Sequence, residues 1–207
     1  MSHNRFVRVD KTMIIEYVHL EERLKPHLDA GQIAVVRRAY DLAAAAHSGQ
    51  TRDEGSPYIV HPLRVAVSLV EEVGIISPTL ICAALLHDVI EDSATTREDI
   101  ARAFGDEVAT IVWLLTKFDD TGLGEYLAEI EAAADIGAPL VKLCDRLDNL
   151  RYLVQSPKLE KKRRYIRATE QYYLPLARRS SDYLYKEMRR ALDRVIEHVT
   201  SFDSAAT

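Results

Sequence analysis

The strongest constraint on this chain is the run from Thr79 to Ile90, in which the apolar residues Leu80 to Leu86 lead straight into His87-Asp88 and then Glu91-Asp92. A surface helix needs one wet face, and this run has none. It predicts a central, buried helix. Ionisable groups carried into such a setting cost free energy unless they are paired or bind a metal. Residues four apart share a helical face, so His87 is expected beside Glu91 and Asp88 beside Asp92, together making an acid-rich corner.

The flanking segments also read as helices. Ile33, Val36, Tyr40, Ala43 and Ala46 recur at helical spacing and Gly49 follows as a stop. Gly49 to Pro62 is rich in Gly, Ser and Pro and predicts an ordered loop. Pro62 then suits the first turn of a helix running to about Val73 and fixes His61 at its entrance. Thr95 or Thr96 with Glu98 and Asp99 forms a capping pattern for a short helix ending near Phe104-Gly105, and another helix follows to about Lys117. A turn over Phe118 to Gly124 precedes an alanine-rich helix, and Pro139 opens one through about Val154, which Ser156-Pro157 closes. The expected fold is all-α, a compact bundle of many helices. Residues 1–32, including Met13-Ile14-Ile15, read as an accessory segment with a helix, 33–200 as the main domain and 201–207 as a polar tail.

With 207 residues, 47% hydrophobic and 29% charged, the chain can bury one substantial core. Its net charge of −5 argues against general DNA or RNA binding, which needs a basic footprint. No apolar run reaches the roughly 20 residues of a membrane span. Cys82 and Cys144 lie inside apolar helical stretches rather than in a spaced framework, so a reducing cytoplasm is expected. Self-association is left open.

A second acidic corner lies in Val141-Lys142-Leu143-Cys144-Asp145-Arg146-Leu147-Asp148-Asn149, where Asp145 and Asn149 share a face. His61, His87, Asp88 and Asp145 give a nitrogen and oxygen donor set suited to a first-row divalent ion such as manganese, with zinc or iron as alternatives. Singly, each residue has a plainer reading. His61 could cap a helix, Asp145 could pair with Arg146 or Arg151, and His47 at a helix end favours the helix dipole. Their joint occurrence favours the metal.

Ordered blocks between about residues 33 and 155 carry a specific resemblance. They are Ala46-His47-Ser48-Gly49-Gln50-Thr51-Arg52, Gly55 through Pro62, Ala83 through Asp92, Phe104-Gly105-Asp106-Glu107-Val108 with Thr116-Lys117, and Val141 through Leu150. In these blocks the chain resembles the hydrolase domain of the RelA/SpoT homologue family, within the HD phosphohydrolase superfamily. The resemblance implies a helical, manganese-dependent enzyme that removes the 3′-diphosphate of guanosine tetraphosphate and pentaphosphate, releasing pyrophosphate. It puts His61, His87, Asp88 and Asp145 on metal positions and Glu91 and Asp92 on the catalytic acidic pair. Arg52 and Asn149 fall on positions that contact base and ribose. Tyr58 and Lys142 lie within the motifs, either near substrate or as supporting residues. The residues after the hydrolase region are too few for a synthetase domain, so a stand-alone hydrolase is expected.

The chain departs from the family pattern in ways that bear on substrate. Asp53 and Glu54 follow Arg52 where a basic residue is usual, Asp148 stands in place of the usual histidine, and Cys144 in place of alanine. Positive charge for phosphates is sought at Lys117, Arg146, Arg151 and the run Lys158, Lys161, Lys162, Arg163 and Arg164, with Arg151 preferred for its closeness to Asn149. The same activity on adenosine analogues belongs to this reading; the alternatives are a broader nucleotide phosphohydrolase, such as one removing the phosphate of NADPH, and a module that binds alarmone without cleaving it. The presence of Glu91 and Asp92 speaks against the last.

Overall fold

The computed structural model describes residues 17–118 and 120–205. Met13-Ile14-Ile15 lie outside the described residues. The described chain is all-α apart from one isolated antiparallel bridge between Thr51 and Pro57.

The apolar run becomes α4 (Pro78–Leu86), with Ser77 accepting from the Leu80 N–H and Pro78 in the first turn. Ile81 through Leu86 are completely buried. Around α4 pack α2 (Ala30–Ala46), α3 (Val60–Val67), α7 (Asp106–Leu115) and α9 (Ala138–Leu153). The anticipated continuous helix to Ile90 is broken. At Asp88 the backbone takes φ −99° and ψ −4°, and a new turn, α5 (Val89–Asp92), starts there. His87 and Asp88 therefore sit at a helix corner, and the face-sharing of His87 with Glu91 expected of an unbroken helix does not hold.

The remaining elements form around this centre. α1 (Tyr17–Leu24) buries Tyr17, Leu20 and Leu24, so the described part of the accessory segment contributes to the core. Thr96 and Asp99 make the anticipated capping box of α6 (Arg97–Phe104), with Gly105 ending it. After α8 (Leu123–Ala132), Gly137 sits at φ +77° and opens α9. A Cβ at Gly137 would meet the Leu80 side chain at 2.7 Å, so glycine lets the start of α9 close on α4. α10 (Leu159–Ala168), α11 (Leu174–Ser180) and α12 (Asp182–Ala205) complete the fold. α12 packs along α9, α10 and α11 and runs to Ala205, so the segment read as a polar tail largely continues a helix.

Two π-helical stretches, Ser68–Glu72 after α3 and Thr169–Tyr173 between α10 and α11, shift the helical register. The first presents Glu72 to Arg151 of α9 at 2.6 and 2.7 Å and to the Tyr183 hydroxyl of α12 at 2.6 Å. Burial alone would raise the Glu72 carboxyl, but the Arg151 and Tyr183 hydrogen bonds hold it below its ordinary value.

This tie yields a stability prediction with a definite sign. Glu72→Gln is expected to cost roughly 1–2 kcal/mol at neutral pH. Because the folded carboxyl titrates below the unfolded one, the contribution is fully present above the unfolded value of about 4.3. It fades as pH falls through the folded value. Urea unfolding of both proteins at pH 7 and pH 3 checks this: the difference shrinks at low pH, and an unchanged difference contradicts it.

Candidate metal and substrate site

Three separate pieces of chain bring the four expected ligands together. His61 stands in the first turn of α3, His87 and Asp88 at the corner after α4, and Asp145 midway along α9. Atoms of His61, His87 and Asp88 that can ligate a metal lie within 4.8 Å of one another. Asp145 Oδ1 joins them, 3.2 Å from His61 Nε2 and 3.8 Å from His87 Nε2. Asp88 Oδ2 is 3.2 Å from His87 Nε2 and 3.8 Å from His61 Nε2.

The chemistry of this donor set fits a divalent cation. His87 Nδ1 donates to the Ala84 carbonyl at 2.8 Å, leaving Nε2 as the free nitrogen, and that buried atom has no hydrogen-bond partner. His61 Nδ1 is held by Asp148 Oδ2 at 2.6 Å, so its Nε2 likewise faces the cluster. Burial works against charge on His87, yet Asp88 and Asp145 more than offset it and lift the imidazole to about 9. Burial also opposes charge on Asp145, but Lys142 and the histidines hold that carboxyl well below its usual range. One buried and one partly buried carboxylate thus create a field that calls for positive charge, which a metal ion can supply.

The cluster opens into a cavity of about 350 Å³. Its floor includes His61, Asp88 and Asp145. Arg52 and Asn149 form one wall, joined by a hydrogen bond from the Arg52 guanidinium to Asn149 Oδ1 at 2.7 Å. Tyr58 donates to Asp88 Oδ2 at 2.7 Å and lies 5.4 Å below the Arg52 guanidinium. Arg52 comes from a loop closed on itself, with Arg52 N–H donating to Ser56 O and Tyr58 N–H to Gln50 O.

The acidic pair divides. Glu91 lines the cavity and accepts from the Lys117 backbone N–H, and burial followed by the nearby Asp88 raises its carboxyl. Asp92 is not among the lining residues. It faces His47, 3.8 Å from Nδ1, with burial and Asp88 again raising it. His47 stacks on Tyr58 with centroids 4.5 Å apart, so both support the tyrosine from behind.

The preferred phosphate-binding arginine is not at the site. Arg151 is consumed by Glu72 and also approaches Glu187 at 3.6 Å, because its helical position points it toward the first π-stretch and α12. Arg146 is buried between the rings of Tyr165 and Tyr173, 4.1 and 4.0 Å from their centroids, and Lys162 donates to the Val154 carbonyl. The cations that do line the cavity are Arg52, Lys117, Lys142 and Lys161.

Asp53 and Glu54 are neither solvent-facing nor idle. Asp53 accepts from Lys158, Lys161 and Ser156 at 2.7, 2.7 and 3.0 Å, and Lys158 and Lys161 hold its carboxyl far below the usual range. Glu54 accepts from Ser56 at 3.0 Å and lies 3.7 Å from Arg64. Their charge is spent fastening the loop to α10 and α3. Sequence reasoning missed the wall of Tyr126, Tyr165 and Tyr173, which no motif marks, and the roles of Asp148 and Arg64. The place of Asp148 inside the acidic corner between Asp145 and Asn149 was the available signal for it.

The HD domain family model matches residues 39–123. The bifunctional (p)ppGpp synthase/hydrolase SpoT of Escherichia coli K12 is 40% identical over 172 residues, covering 77% of this chain and 24% of that protein. The guanosine-3′,5′-bis(diphosphate) 3′-pyrophosphohydrolase of Aquifex aeolicus is 41% identical over 150 residues, covering 70% of this chain and 21% of that protein. The chain thus spans about a quarter of the length of these relatives. A solved structure described as a metazoan ortholog of SpoT that hydrolyzes ppGpp superposes with TM-score 0.68 at 29% identity, covering 78% of this chain and 95% of that one. The HD domain match over residues 39–123, the 40% identity to SpoT and the shared fold of the metazoan structure make this chain similar to HD-domain and SpoT-type proteins.

Proposed function

We propose that this chain is a metal-dependent hydrolase that removes the 3′-diphosphate of (p)ppGpp-type nucleotides, giving pyrophosphate and GDP or GTP. The observation that carries the reading is the convergence of His61, His87, Asp88 and Asp145 beside Glu91 on a cavity also lined by Arg52 and Asn149. The activity named for its relatives from Escherichia coli and Aquifex aeolicus supports it. The four ligands would hold a divalent ion, with manganese as our choice for a site of two nitrogens and two carboxylates. Such an ion neutralises charge on a phosphate oxygen and makes a water molecule more acidic.

The chain's own residues then divide the remaining work. Glu91, with its raised carboxyl, is placed to take a proton from the attacking water and return it to the leaving oxygen. Asp92, behind Tyr58, helps fix the tyrosine and the corner. Arg52 offers a planar guanidinium against which a purine can stack, oriented by Asn149 and backed by Tyr58. Lys117, Lys142 and Lys161 supply positive charge to phosphates inside an acidic protein. The catalytic unit spans about residues 33–200, with 1–32 accessory to it. No helix among the described residues is long and apolar enough to cross a membrane. We place the enzyme in the cytoplasm, acting on a free nucleotide rather than on DNA or RNA.

Incubation of the metal-free chain with ppGpp is expected to give no pyrophosphate until manganese is added, and then stoichiometric pyrophosphate and GDP. A panel including the adenosine alarmone and NADPH tests the broader reading. Release of only inorganic phosphate from NADPH, with alarmones untouched, would replace ours.

Two substitutions separate holding the metal from using it. Asp145→Ala is expected to lose bound manganese as measured by elemental analysis. Glu91→Gln is expected to retain it while turnover falls by on the order of 10²- to 10⁴-fold. Full metal retention by the first or near-normal turnover by the second contradicts the assigned role.

A further inference from the structure

His61 and His87 are oriented by different means. His87 donates its Nδ1 proton to a neutral backbone carbonyl, whereas His61 donates to the carboxylate of Asp148 at 2.6 Å. Asp148 is 4% exposed, and Arg64 holds it from the other side, with Nε on Oδ1 at 2.7 Å and a terminal nitrogen on Oδ2 at 3.1 Å. Arg64 is itself fixed, its guanidinium stacked 3.5 Å from the Tyr152 ring centroid and 3.7 Å from Glu54 of the substrate loop.

We propose that Asp148 is a positioning residue for the metal centre, fixing His61 as the Nδ1-protonated tautomer so that Nε2 faces Asp88 and Asp145. The carboxylate can only accept from Nδ1, so the lone pair of the neutral ring lies on Nε2, on the side of the cluster. An anionic partner also makes the imidazole a stronger electron donor than a carbonyl does, and loss of such a partner from a metal-bound histidine weakens metal binding. Arg64 holds both carboxylate oxygens, while the short bond from His61 Nδ1 itself keeps Asp148 on the ring. Burial opposes charge on the carboxylate, and the His61 and Arg64 hydrogen bonds overcome it. The arrangement joins the loop that carries Arg52 and Glu54 to one metal ligand through Arg64 and Asp148.

This inference rests on the reading of His61 as a metal ligand, and the test keeps the two apart. Manganese is titrated calorimetrically into the metal-free wild-type chain and into Asp148→Asn, Arg64→Met and the combined variant. Asparagine retains the shape and one acceptor but not the charge. It is expected to weaken manganese binding on the order of 10- to 100-fold. Arg64→Met leaves Asp148 on His61 and is expected to bind within about threefold of wild type, less than the loss typical of a missing histidine partner. Leaving Arg64 unpaired can unfold the single Asp148 variant, so the combined variant, which removes both buried charges, serves as its folded counterpart. Its affinity falls with that of Asp148→Asn if the carboxylate acts on His61. Equal affinity in the combined variant and Arg64→Met, or as large a loss in Arg64→Met as in the combined variant, overturns the positioning role. A wild-type chain that binds no manganese overturns the metal reading itself.

Discussion

Two carboxylates, Asp88 and Asp145, are held against two buried imidazoles in the middle of an apolar bundle, and much of the surrounding structure serves that unfavourable placement. Negative charge in such a setting has to be met by a cation or by hydrogen bonds. The protein supplies part of the answer through Lys142, 3.0 Å from Asp145, and through the Asn149 and Tyr58 donors. The remaining demand falls at the point where both Nε2 atoms face. The helix corner at His87-Asp88 follows from the same requirement, because a continuous helix would separate His87 and Asp88 by about 100° around its axis. At the corner both side chains reach one place.

The substrate side has the opposite electrostatic problem. An acidic chain must present enough positive charge to hold a polyanion, and it does so locally. Arg52, Lys117, Lys142 and Lys161 come from four different segments and meet at one cavity. Asp53 looks repulsive when read along the chain, yet it anchors Lys158 and Lys161 and so ties α10 to the loop that carries Arg52. The tyrosine wall is organised in a similar indirect way, with Arg146 stacked between Tyr165 and Tyr173. Cationic side chains here shape the pocket as well as charge it.

Much of the fold was legible because its signals are local. Continuous apolar residues marked α4, Thr96 with Asp99 marked the start of α6, and the Gly and Pro residues between 49 and 62 marked the loop. Residue types also pointed to His61, His87, Asp88 and Asp145, which the fold brings together. What stayed hidden depends on direction in space. Nothing local says that Arg151 turns to Glu72 while Lys161, in a run that resembles a solvated face, turns inward. The break at Asp88 brings His87 and Asp88 to one place, and the first π-stretch shifts the register so that Glu72 meets Arg151 of α9. Such shifts answer to packing between segments distant in sequence, which periodicity does not register.

The central claim is that one divalent ion sits where the two imidazoles and two carboxylates converge. The most direct measurement is anomalous diffraction at the manganese edge from crystals of the chain grown with manganese chloride. The account predicts one dominant peak within about 2.0–2.3 Å of His61 Nε2, His87 Nε2 and carboxylate oxygens of Asp88 and Asp145, the range for divalent ions on such ligands. A dominant peak elsewhere, or none while these four side chains keep their present arrangement, would contradict it.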